Sequence, residues 1–179
     1  MKTWRLRTSL WVPRTPDEVW PFFSDARNLE LLTPPWLSFT ILTPQPIEMR
    51  TGALIDYRIK LRGLPMTWRT RIARWAPGRE FVDEQLRGPY AIWHHTHTFT
   101  PCDGGTVCSD EVIMRPRGGP LAPLFMRWFV KRDVQRIFEH RKSVMTRLFE
   151  GSPESAELTW DDGRTVTAAA DRRALESAR

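Results

Sequence analysis

The stretch from Val130 to Phe149, VKRDVQRIFEHRKSVMTRLF, decides the fold. At about 100° per residue, with Ile137 as reference, Val130, Val134, Val144 and Leu148 fall within roughly 60° of one line, and Arg141 lands among them. Lys131, Arg132, Glu139 and Lys142 take the opposite face. The stretch is therefore an amphipathic helix with a cation where a core residue belongs. Burying an unpaired charge costs several kcal/mol. The surface that this helix faces must then offer acidic or hydrogen-bonding partners, or open into a wet cavity, and that cavity is the candidate functional site.

Working outward, Gly118-Gly119-Pro120 opens the helix and Gly151-Ser152-Pro153 stops it. Upstream, from about residue 37 to 115, the hydrophobic period is two. Leu37, Phe39 and Ile41 alternate with Ser38 and Thr40, and Ala53, Ile55, Tyr57, Ile59 and Leu61 alternate with Asp56, Arg58, Lys60 and Arg62. Further strands are expected over Met66 to Trp75 with Trp68, Thr70 and Ile72 inward, then Phe81 to Leu86, Ala91 to Thr100 and Thr106 to Met114. Turn signals stand at Gly63-Leu64-Pro65, Pro77-Gly78, Gly88-Pro89 and Asp103-Gly104-Gly105. Short links make the pairing largely antiparallel. At the other end a strand over Thr3 to Val12 leads to Thr15-Pro16-Asp17-Glu18, a capping box with proline at the first helical position. The helix it starts carries Val19, Trp20, Phe22 and Phe23, and a second short helix covers Ala26 to Leu32 before Pro34-Pro35.

A strand, two short helices, six strands and a long helix make an α+β domain: a curved antiparallel sheet of about seven strands wrapped around the last helix. The domain is expected over residues 1–150, followed by a flexible tail over 151–179 with a short strand near Leu158 to Trp160 or a helix near Ala168 to Ala178. Residues 1–150 hold 23 Lys/Arg against 15 Asp/Glu, so the basic surplus lies in the folded part, while the tail is acidic. Many of these arginines alternate with apolar residues along strands, as a solvated sheet face requires. No apolar run is long enough to span a bilayer, and the N-terminus lacks a signal-peptide core, which points to the cytoplasm. Cys102 and Cys108 fit two reduced thiols better than a disulfide framework or a metal motif.

Four segments carry a family resemblance: Phe81-Val82-Asp83-Glu84-Gln85, Gly88-Pro89-Tyr90, Trp93-His94-His95-Thr96-His97-Thr98-Phe99, and Arg132 through Arg141. They resemble the ligand-binding SRPBCC proteins, the START/Bet v 1/polyketide-cyclase superfamily with the helix-grip fold. The similarity spans roughly residues 3 to 150. Within that superfamily it is with a subgroup of cyclase/dehydrase-like proteins, some labelled cell-division inhibitors, and it specifies no reaction. The resemblance implies a deep, mainly apolar cavity between the sheet and the C-terminal helix, holding a lipid, sterol, polyketide or other hydrophobic ligand.

Alternation then says what lines that cavity. With Phe81 and Phe99 inward, Asp83 and Gln85 share a face with the first, and Trp93, His95 and His97 share a face with the second; Asp110 shares a face with Val112 and Met114. Asp83, Gln85, His95, His97, Asp110 and Arg141 form the polar end, and Tyr57, Trp68, Phe81 and Trp93 the apolar lining. An Arg141 pair with Asp83 or Asp110 would settle the buried charge.

Three readings stay open: a buried structural network, polar recognition of an otherwise apolar ligand, and catalysis. In an enzyme, His95 or His97 would serve as general base or acid for cyclisation, dehydration or isomerisation, backed by Asp83 or Asp110, with Arg141 stabilising an enolate oxygen. His95 and His97 at i, i+2 also have the spacing of a metal-ligand pair, but the neighbouring arginine repels a cation, so neither metal nor cofactor is expected. Trp11, Arg69, Arg71 and Trp75 on the outer sheet face make a weak case for nucleic acid. Arg127, Lys131, Arg132 and Arg136 at the helical rim suit transient contact with an anionic membrane better.

Overall fold

In the computed structural model, which describes residues 2–152 and 157–161, an eight-stranded antiparallel sheet wraps around a long C-terminal helix. In chain order the elements are β1 (Trp4–Val12), α1 (Pro16–Phe23), α2 (Leu29–Leu32), β2 (Thr40–Ile41), β3 (Leu54–Leu61), β4 (Leu64–Ala76), β5 (Glu80–Arg87), β6 (Tyr90–Cys102), β7 (Gly105–Pro116), α3 (Ala122–Phe125), α4 (Lys131–Phe149) and β8 (Glu157–Asp161). The sheet order is β2-β3-β4-β5-β6-β7-β1-β8. The C-terminal part supplies the eighth strand, which pairs Leu6 with Trp160 along β1. The helix expected near Ala168 to Ala178 lies outside the described residues.

Local chemistry explains most of these elements. The Glu18 carboxylate accepts from the Thr15 backbone N–H at 2.7 Å, the return half of a capping box, and also from the Thr15 hydroxyl at 2.8 Å. Asp25 accepts from the Arg27 backbone N–H and starts a 3-10 turn over Ala26–Asn28 that runs into α2. The strand expected from Leu37 to Ile41 shortens to Thr40–Ile41. The Pro34-Pro35 pair launches a second 3-10 turn through Leu37, and Ser38 then takes a left-handed conformation at φ 45°. Leu64 and Pro65 belong to β4, since the tight β3–β4 turn needs just Arg62 and Gly63, both at positive φ.

Two irregularities between β4 and β5 matter more. The ladder pairs Ile72 with Asp83 but Arg74 with Val82, which leaves Ala73 as an extra residue. A one-residue bulge exchanges the two faces of everything beyond it. Trp75, expected outside, therefore turns inward onto Trp20 (centroids 4.9 Å apart) and Phe81 (5.6 Å).

The C-terminal helix also differs from expectation. Its N-terminal part is broken into a 3-10 turn at Gly119–Leu121, α3, and a π turn at Met126–Val130 before α4 begins. Its buried face is Val134, Phe138, Arg141, Val144 and Met145, whereas Leu148 is 50% exposed. The stripe is rotated from the Ile137 line toward Phe138, and Arg141 stays inside it. Among the described residues three apolar clusters fill the space between sheet and helices, the smallest being Ala26, Ile55 and Ile72. Of the larger two, one gathers Trp4, Leu6, Trp68, Met114, Val134 and Phe138; the other gathers Leu10, Val19, Phe23, Phe81, Phe99 and Met145.

Candidate functional site

Strand register assembles the polar set. Asp83 on β5 lies opposite His95 on β6, and His97 lies opposite Asp110 on β7, so two imidazoles are bracketed by two carboxylates across three adjacent strands. Helix α4 then brings Arg141 down onto them. Its Nη2 lies 3.0 Å from His97 Nδ1, and its Nε lies 3.3 Å from an Asp110 oxygen. The guanidinium also sits over the Phe23 ring, 5.4 Å from its centroid.

Hydrogen-bond chemistry orders the protons. Arginine only donates, so when Arg141 donates to His97 Nδ1 the imidazole proton resides on Nε2 and is donated to Asp83 at 3.0 Å. His95 Nε2 donates to Asp110 at 3.0 Å. Asp110 Oδ1 also approaches His97 Nδ1 to 2.7 Å, so a second proton on His97 would be shared with Asp110 while the first stayed with Asp83. His97 thus stands between two carboxylates, stacked on Phe81 at 4.0 Å and tilted by 39° against His95, 3.8 Å away.

Burial and charge act against each other here. Burial pushes the Asp83 carboxyl up, but His95, the hydrogen bond from His97 and the Arg141 charge outweigh it and hold the group below its ordinary range. The same opposition, with Arg141 the strongest of the favourable partners, holds Asp110 well below that range. Burial and the neighbouring His97 lower the His95 imidazole, against the pull of Asp83 and Asp110. Cys108, beside Asp110, is pushed up to about 12 by burial and stays a thiol.

A cavity of about 180 Å³ opens from this polar end, walled by β3 to β6, α1, α2 and α4. Tyr57, Trp68, Phe81 and Trp93 line it, as do Asp83, His95, His97 and Arg141. The Tyr57 hydroxyl lies 3.2 Å from that of Thr70, and burial raises its pKa, so it stays protonated. Trp68 is the hub of an aromatic belt, stacked on Tyr57 at 5.9 Å and edge-on to Trp93 at 5.4 Å.

Two expected members lie elsewhere. The Gln85 side chain folds back over the β5–β6 turn, donating to the Tyr90 carbonyl and accepting from the Tyr90 N–H. It closes a hairpin and does not join the polar end. Asp110 sits behind the histidines and does not line the cavity; it acts on His95, His97 and Arg141. Tyr90 and Phe138 are lining residues that the sequence reading passed over. Tyr90 directly follows Gly88-Pro89, so the turn signal masked a strand start. Phe138 follows the chosen helical reference, and its spacing from Val134, Arg141 and Met145 was the signal.

Asp83, His95 and His97 could together hold a cation, since one ligand atom from each lies within 4.8 Å of the others. The Arg141 guanidinium, 3.0 Å from one of those rings, opposes that occupancy. The arrangement suits hydrogen bonding and proton transfer better.

Comparison with known proteins agrees with this architecture. No curated protein matches the sequence significantly. Protein Ms6760 from Mycobacterium smegmatis superposes with a TM-score of 0.56 at 17% identity, over 80% of this chain and 92% of that one. Ara h 8.0201 gives 0.54 at 15% identity, over 80% of this chain and 99% of that one. The di-domain ARO/CYC StfQ from the steffimycin biosynthetic pathway gives 0.58 at 15% identity, over 82% of this chain and 52% of that one. These likenesses show the fold, an antiparallel sheet gripping a long C-terminal helix. The family model described as polyketide cyclase / dehydrase and lipid transport matches residues 12–142, and the chain belongs to that family.

Proposed function

We propose that the protein is a cytoplasmic binder of a small hydrophobic molecule of lipid, polyketide or aromatic type, working without metal or cofactor. The observation that carries this reading is the union of an aromatic-walled cavity with one charged end, Asp83, His95, His97 and Arg141. Apolar walls supply affinity, and a few fixed donors orient the ligand. Arg141 and the histidines would meet an oxygen of the ligand, and Trp68, Tyr57 and Trp93 would flank its body. Native followed by denaturing mass spectrometry on gently purified protein tests it. A defined apolar compound carried by wild type and lost in a folded Arg141→Ala variant is the expected result. An empty wild type with an unfolded variant would reassign the polar set to a structural network.

A second reading rests on a specific observation: each histidine is hydrogen-bonded to its own carboxylate beside the cavity. That pairing fixes the orientation and tautomer of each imidazole and suits acid–base chemistry of the cyclase or dehydratase type, with Arg141 at a developing enolate. Turnover of the identified compound or its precursor should then fall by two to four orders of magnitude, roughly 10²–10⁴, in His95→Ala or His97→Ala. Unchanged turnover in both variants removes the enzyme reading.

A further inference from the structure

One end of the molecule leaves large apolar side chains in water. Leu64 at the β3–β4 turn is 70% exposed, and Leu121, Leu124 and Trp128 between β7 and α4 are 59%, 56% and 64% exposed. Direct contacts join these tips into one rim. Arg62 of the β3–β4 turn lies 4.4 Å over the Phe129 ring and pairs with Asp133, and the Arg117 N–H donates to the Pro89 carbonyl at the β5–β6 turn. Leu61, Pro89 and Tyr90, from or beside these same turns, line the cavity, so the rim adjoins one end of it.

The π turn at Met126–Val130 explains the display. It buries Met126 and presents Arg127, Trp128 and Phe129 outward in succession. Charge on the rim has one sign. Between Glu111 and Asp133 the chain has no acidic residue but carries Arg115, Arg117, Arg127, Lys131 and Arg132, and Asp133 is itself engaged by Arg62. Protruding apolar tips from separate loops, ringed by cations, match a fluid anionic surface better than a single fitted protein partner.

We propose that this rim docks the protein on an anionic phospholipid surface, with Leu121, Leu124 and Trp128 entering the headgroup boundary and Arg127, Lys131 and Arg132 against the headgroups. The inference stands on the surface alone and would hold even if the cavity carried no ligand.

Cosedimentation with vesicles tests it, using phosphatidylcholine alone against phosphatidylcholine mixed with phosphatidylglycerol, each at low and high salt. Wild type should pellet with the anionic vesicles, stay in solution with the neutral ones, and be released by salt. Arg127→Gln with Arg132→Gln should lower the partition coefficient on the order of thirtyfold. Leu124→Ser with Trp128→Ser should abolish pelleting while keeping the wild-type circular dichroism and melting temperature. Wild type that ignores lipid charge and salt, or serine variants that pellet like wild type, would overturn the proposal. So would a wild-type dimer dispersed by the serine substitutions, which would assign the patch to a second copy. Ligand retention by mass spectrometry on the same samples reads the cavity separately, so either claim can fail alone.

Discussion

Arg141 is the residue on which the site turns. It is 7% exposed and lies 3.3 Å from the largely buried Asp110 carboxylate, so removing it leaves Asp110 without its strongest favourable charge. Arg141→Met should destabilise the fold by about 3–5 kcal/mol, the usual cost of orphaning a buried charge. Adding Asp110→Asn should recover a large part of that loss, because the orphaned anion is gone; denaturant melts of the two single variants and the double variant give the coupling. The pH dependence has a definite sign. His95 is lowered in the folded state, so the unfolded chain binds that proton first, and stability falls as pH drops below about 6.5. Asp83 and Asp110 are also lowered, so their contribution, complete above about 4, is lost as pH falls further. Both effects act in one direction. The melting temperature should fall in two stages on acidification, and His95→Gln should remove the first.

At the scale of elements, the β6–β7 hairpin is held against β1 by close backbone approach. A Cβ on Gly105 would come within 2.1 Å of the Val12 carbonyl oxygen, and that neighbour is backbone and cannot swing away. Gly105→Ala should cost about 1–3 kcal/mol as the hairpin shifts, read as a lowered denaturant midpoint. The elements also mark how far a sequence speaks. Period-two alternation located seven of the strands, and the polar set on β5, β6 and β7 followed from it, because those strands stay in register where Asp83, His95, His97 and Asp110 stand. Trp75 and Gln85 escaped for a physical reason. The extra residue at Ala73 has no sequence signature, and a side-chain amide that bonds two main-chain groups in a turn obeys no alternation. On α4 a few tens of degrees of rotation exchanged Leu148 for Phe138, since a helix settles on whichever stripe the cavity walls accept.

For the whole molecule, the two sheet edges are unequal. β2 is a two-residue strand, too short to template another chain, whereas at the other edge the five-residue β8 lies on β1 and takes its place as the outermost strand. A chain ended after Ser152 would bare the edge of β1 from Arg5 to Ser9 and uncover Leu6 where Trp160 stands. Such a variant should melt lower and associate with rising concentration, as measured by light scattering. The same topology also sets the order of events in time. β1 pairs Trp4 with Met114, so β1 has no main-chain partner until β7 has been made about a hundred residues later. Its inward face, Trp4, Leu6, Leu10 and Val12, must wait in water for that interval, and the polar site, which spans β5, β6, β7 and α4, is complete only once α4 has been made. A sheet closed by strands so far apart in sequence is expected to fold in the millisecond-to-second range, which stopped-flow refolding would measure.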